Sequence, residues 1–181
     1  MSMSSGDRFL LGFFAFSGGF VVTAFLWVVT VPRKLPPIPA TPENFAANFS
    51  KDTWESVVAA SGCRPEWFTC EAPEYVATEL AIEKMNFPGR FLTLEQVRLE
   101  VAERGYRLVS LQAAESYRKA HSRPGENKLL FFAGSSVKVS TGEQFIAVLV
   151  WHGSEGWVSY LSWAGYLFNG DRAFFAVEKV R

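Results

Sequence analysis

Histidine and cysteine are the scarce residues of this chain, with two of each in 181. Cys63, Cys70, His121 and His152 would make up the ligand number of a structural zinc. None of them stands at the close pair spacing that such sites use, so no metal is expected. Net charge is lacking too. Eighteen Lys and Arg offset eighteen Asp and Glu, which leaves no bulk attraction for nucleic acid. There is no P-loop and no dinucleotide fingerprint, and Ser135 and Ser136 follow Gly134 without forming a G-x-S-x-G elbow. Neither histidine has an acid or a nucleophile at a recognisable spacing. These absences predict no enzyme, no catalytic residue and no cofactor.

Charge is also missing from one particular stretch. After a tail at 1–8, residues 9–31 run for 23 positions without a charged side chain. As a helix that run covers about 34 Å, against a hydrocarbon core of about 30 Å, and a single-pass transmembrane helix is expected. Trp27 lies near its far end, Arg8 and the pair Arg33, Lys34 bracket it, and Pro32 ends it. A cleaved secretory signal has a shorter apolar region, and the nearest small-x-small candidate here is Ile38, Pro39, Ala40, where Ile takes a position that should be small. Arg33 and Lys34 would hold the following domain in the cytoplasm. A short tail ahead of a lone anchor, together with the two cysteines, favours carrying it across, and an extracytoplasmic domain is the reading adopted. Gly12, Ala15, Gly19 and Thr23 fall on one helix face and would let a neighbouring membrane helix approach closely.

The stretch 32–42 carries five prolines, which makes a stiff extended linker of about 30 Å. The segment 43–90 reads as helical and cysteine-containing. Thr41, Pro42 and Glu43 have the order of an N-cap, a first-turn proline and a carboxylate at the positive helix end, so a short helix is expected there with Phe45 and Phe49 on one side. Ser50 would cap a second helix over 51–60 that turns Trp54, Val57 and Val58 inward, with Gly62 closing it. Cys63 and Cys70 frame a short loop, and outside the cytoplasm a disulfide between them is expected. From Val76 to Glu83 apolar and polar residues alternate as in a strand, while a helix from Pro73 is the other option.

From 91 to 181 an α+β module is expected. Thr93 and Gln96 form a capping box ahead of Val97 and Val101, and Gly105 stands where a left-handed cap would sit. A short strand from Tyr106 leads to Ser110, which caps a helix reaching about Ala120 with Leu111, Ala114 and Tyr117 inward. Residues 122–128 read as an exposed loop. Strands then follow at 129–133, 136–140, 144–152, 157–163 and 173–180, separated by glycines, as in an antiparallel sheet with hairpins. The fold class expected is therefore α+β, in which one transmembrane helix precedes a soluble domain of two or more helices and an antiparallel sheet.

The stretch Arg104-Gly-Tyr-Arg-Leu-Val-Ser-Leu-Gln-Ala-Ala-Glu-Ser-Tyr117 resembles the strand-to-helix entry of C-type-lectin-like and sulfatase-modifying-factor-like domains. The closing Phe174-Phe-Ala-Val-Glu-Lys-Val is similar to their final strand, and 93–181 as a whole resembles a module of small bacterial proteins. Ser110 and Gln112 depart from the usual pattern, and no cysteine follows residue 70. The resemblance thus implies a binding fold, without the cysteines of formylglycine-generating enzymes.

Trp151, Trp157, Tyr160, Trp163, Tyr166 and Phe168 crowd into eighteen residues, with His152 and Asn169 beside them. Such rings can stack on a sugar or trap a peptide side chain, with Asn169, Asp171 and Glu155 adding polar contacts; the bland alternative is that they fill the core of a sheet. The function expected is a membrane-anchored, non-enzymatic binding or interaction module near the cell envelope. The alternative is an accessory subunit of a multi-chain membrane complex. Membrane lipid and a protein partner are expected, other transmembrane subunits and a glycan are further candidates, and nucleic acid is not among them.

Overall fold

The computed structural model describes residues 43–47, 53–70, 79–122 and 128–180. The apolar run at 9–31, its small-residue face of Gly12, Ala15, Gly19 and Thr23, and the linker at 32–42 lie outside the described residues. No helix among the described residues is long and apolar enough to cross a membrane.

In chain order the elements are β1 (Glu43–Ala46), α1 (Trp54–Ala60), a 3-10 turn (Pro65–Trp67), β2 (Phe68–Cys70), β3 (Glu79–Met85), β4 (Phe91–Leu92), α2 (Leu94–Glu103), β5 (Tyr106–Leu108) and α3 (Ala113–Ala120). After them come β6 (Leu129–Val139), β7 (Gln144–Trp151), a 3-10 turn (Gly153–Glu155), β8 (Trp157–Trp163), β9 (Phe168–Asn169) and β10 (Phe174–Lys179). Eight strands share one sheet, ordered β1-β3-β10-β6-β7-β8, with β2 added to β6 and β5 to β10; β4 and β9 form a separate ladder. This corrects the expected class. The described fold is predominantly β, at 44% strand and 26% helix, and its three helices are short.

The correction has two physical sources. The first is β1, where a helix was expected from Thr41 and Pro42. Glu43–Ala46 instead pairs antiparallel with Glu79–Ile82, and pairing with a distant strand overrides a local cap signal. The second is β10, which lies parallel to β6 at Phe174↔Leu130 and Phe175↔Phe131, so the sheet is mixed. A parallel neighbour needs a long connection, and spacing between consecutive strands cannot reveal it.

Alternation along the central strands divides the core between two faces. Leu130, Phe132, Ala147, Leu149 and Ala176 turn to one side, where α1, α3 and the turn before α3 bring Val57, Val58, Leu111, Ala114 and Tyr117. Phe131, Ala133, Ile146, Val148 and Phe175 turn to the other, where α2 and the β4–β9 ladder bring Val97, Val101, Leu92 and Phe168. Locally, α2 starts as its sequence predicts: the Thr93 hydroxyl accepts from the Gln96 N–H and the Gln96 side chain accepts from the Thr93 N–H at 2.9 Å. The described part of α1 starts at Trp54, capped by Thr53, because the Thr53 hydroxyl accepts from the Ser56 N–H.

The structure contains no disulfide. Cys63 and Cys70 are both half-buried and are not joined to each other. Cys70 lies in β2 opposite Val137, and its thiol points to the Ser136 carbonyl at 3.7 Å, so strand pairing with β6 fixes its direction.

One edge of β6 follows β7, while the other is shared by β10 at its start and β2 at its end. Between them the register shifts, and the Gly134 N–H donates to the Val109 carbonyl at 2.8 Å. A Cβ on Gly134 would stand 2.3 Å from the Leu108 carbonyl oxygen, so no side chain fits at that crossing. Gly134→Ala is expected to cost about 1–3 kcal/mol by forcing the two backbones apart. Urea unfolding followed by near-ultraviolet circular dichroism measures this, and unchanged stability would mean that the crossing gives way freely.

Candidate functional site

The aromatic cluster of the sequence separates into three environments. Trp157 is core, with only 4% of its surface exposed, and its ring meets Tyr117 and Trp151 edge-on at 6.1 and 5.6 Å. Trp151 is half-buried against the same core. The Trp157 ring is closed to a ligand, and Trp151 keeps part of its surface open. Tyr160 stands on the opposite face of β8, exposed, with its hydroxyl 3.2 Å from His152 Nε2. Trp163 and Tyr166, at the end of β8 and in the turn beyond it, are 49% and 63% exposed.

Asn169 and Asp171 are occupied in holding the backbone. The Asn169 side-chain oxygen accepts from the Asp171 N–H at 3.0 Å, and the Asp171 carboxylate accepts from the Gly89 N–H at 2.8 Å. Together with the bond from the Gly170 N–H to the Arg90 carbonyl, they stitch the loop after β9 to the turn before β4.

Two further exposed side chains are not among those aromatic residues. Phe91 is 68% exposed and Leu167 is 57% exposed. Phe91 pairs with Asn169 across the β4–β9 ladder, which puts Leu167, two residues away, on the same side as Phe91. Phe91 and Leu167 therefore form an exposed ridge on one side of the ladder, and Trp163 and Tyr166 are exposed just before it in the chain. Its only sequence signal is the alternation that buries Leu92 and Phe168 and turns their neighbours outward, too short at two residues per strand to be read without the pairing.

An open groove of about 660 Å³ lies beside Trp163. Thr93, Glu95 and Arg98 of α2 form one wall, the β6–β7 turn with Thr141, Glu143 and Gln144 forms the other, and Trp163 and Gly165 complete it. Within that turn the Thr141 hydroxyl donates to the Glu143 carboxylate.

A second polar cluster was missed because its members lie far apart in the chain. The Glu43 carboxylate accepts from the Tyr117 hydroxyl at 2.6 Å and from Lys84 Nζ at 2.8 Å, with His121 Nε2 at 3.6 Å. The His121 ring stacks on Tyr117 at 4.0 Å, and Lys84 Nζ lies 5.6 Å from the Tyr117 ring centre. Burial pushes the Tyr117 phenol far above its ordinary range, and the Glu43 carboxylate beside it adds to the rise. For Glu43, burial raises the pKa, but hydrogen bonds from Lys84 and Tyr117 and the charges of Lys84 and His121 outweigh it and leave the carboxyl below its ordinary value. This cluster pins the first strand to the sheet. Among the described residues, no group of three or more His, Cys, Asp or Glu side chains is placed to hold a metal ion.

No family model, curated protein or solved structure matches this chain.

The Glu43 cluster and the Trp157 ring each give a measurable expectation. Because the folded carboxyl of Glu43 sits low, its stabilising contribution is present at neutral pH and is lost as pH falls through the carboxylate range. Glu43→Gln should lower the thermal midpoint at neutral pH and flatten its decline between about pH 6 and about pH 3. An unchanged slope would detach Glu43 from acid unfolding. Trp157→Ala should cost about 3–5 kcal/mol in chemical denaturation. Trp157→Phe should cost much less, since the indole N–H has no hydrogen-bond partner to lose.

Proposed function

We propose that this chain is a membrane-anchored, non-enzymatic recognition module. The apolar run at 9–31 tethers it in lipid, the proline-rich segment at 32–42 spaces it from the surface, and the C-terminal unit presents an apolar ridge to an extracytoplasmic ligand. The carrying observation is the exposure of Phe91 and Leu167 on one side of the β4–β9 ladder, with Trp163 and Tyr166 exposed just before it in the chain. Single exposed apolar side chains are ordinary on a protein surface, whereas a contiguous group marks a surface that something covers.

Two measurements test this reading. Membrane pelleting with salt and carbonate washes should retain the full chain, and deletion of 9–31 should release it; a full chain that stays in the supernatant sinks the anchor. A photo-crosslinking amino acid at Tyr166 should give discrete adducts in intact cells. The double variant F91S/L167S should abolish them while its thermal midpoint stays within about 3 °C of the parent. Adducts that persist in a folded double variant would remove the ridge from recognition, as would their absence from the parent. A stoichiometric complex of membrane subunits, lost on Gly19→Ile, would instead favour the accessory-subunit reading.

A further inference from the structure

We infer that the groove beside Trp163 is a binding site for a neutral saccharide, with the indole as its stacking platform. This rests on the recognition reading above and names the class of ligand.

The indole already lies against Gly165 in the absence of a ligand. A Cβ on Gly165 would stand 2.5 Å from Cζ2 and 2.7 Å from Cε2 of Trp163, so the indole occupies the space that any other residue at 165 would need. The turn that holds it is pinned on both sides: the Tyr166 N–H donates to the Trp163 carbonyl at 3.3 Å, and the Ala164 N–H donates to the Gln144 carbonyl at 2.8 Å. One part of the ring is thus held against backbone, while about half of the residue stays open beside the groove. A ring already ordered loses little further freedom on stacking.

The walls decide what can stack there. Glu95, Arg98, Glu143 and Gln144 face the same space, supplying carboxylate acceptors, guanidinium donors and an amide with both. A wholly apolar guest would strip water from these groups and return no hydrogen bonds. An anion would meet two carboxylates against one guanidinium. A sugar ring has an apolar face of C–H groups for the indole and a rim of hydroxyls that both donate and accept. The groove holds about 660 Å³ and is open over most of its surface, so a guest would lie across it rather than be enclosed.

The test uses the full chain in a phosphocholine detergent, because maltoside and glucoside headgroups would compete for the groove. Cellobiose, maltose and N,N′-diacetylchitobiose are titrated separately, and the Trp163 indole N–H and Gly165 amide resonances are followed. At least one disaccharide should shift both saturably, with a millimolar or lower dissociation constant. Trp163→Ala should abolish saturation, Trp163→Phe should retain part of the affinity, and Gly165→Ala, which displaces the ring, should weaken binding about tenfold or more. No saturable shift from any of the three up to about 20 mM would overturn the proposal, as would equal binding by a folded Trp163→Ala variant. Ridge-dependent crosslinks without saccharide binding would leave the recognition module standing and remove only its sugar ligand. Absence of both would remove the two together.

Discussion

The constraint on which this structure depends is that its central strands are buried on both faces. In β6 and β7 successive side chains alternate between two separate apolar clusters, so neither face of the sheet can be left to water. Each face then requires its own cover. The helices α1 and α3 supply one layer, and α2 with the small β4–β9 ladder supplies the other. Burying a large apolar side chain contributes about 1.5–3 kcal/mol, and both layers are built from many of them. Strand β6 serves β7, β10 and β2, and Gly134 lets the chain from Leu108 to Val109 pass against its backbone.

The candidate site follows from where that cover ends. As the outermost strand of the sheet, β8 has its first residues under the helical layer, which is why Trp157 is core. Its last residue, Trp163, lies beyond that layer and meets the start of α2 and the β6–β7 turn across an open groove. The β4–β9 ladder, needed to roof the second cluster with Leu92 and Phe168, turns Phe91 and Leu167 outward by the same pleat. Exposed surface and core are therefore two faces of the same short strands. The Glu43 cluster at the other margin does structural work, closing the sheet at its first strand with a buried phenol, an ammonium and a carboxylate.

Local chemistry was readable wherever a partner lies within one turn of the chain. The Thr93–Gln96 capping box, the inward Val57 and Val58, and the strands at β7 and β8 follow from spacing alone, because caps and alternation act over three or four residues. Readability stopped where a distant strand intervened. Pro42 and Glu43 carry a helix-start signal that pairing with β3 overrides, and the parallel contact of β10 with β6 has no trace between neighbouring strands. At the site, Trp163 and Tyr166 stood out as aromatics, but nothing in the sequence distinguished them from Trp157. Phe91 lay seventy-two positions from Trp163 and carried no signal of its own.

Composition and order of residues by themselves determined the balanced charge, the absence of a recognised catalytic motif, the long uncharged stretch near the start and the identity of most local elements, since each depends on neighbours in the chain. Only the tertiary structure decided which aromatic rings are core and which are surface. That choice depends on where the helical layer stops along β8 and on which strand pairs with β4, and both are set by contacts between residues far apart in sequence.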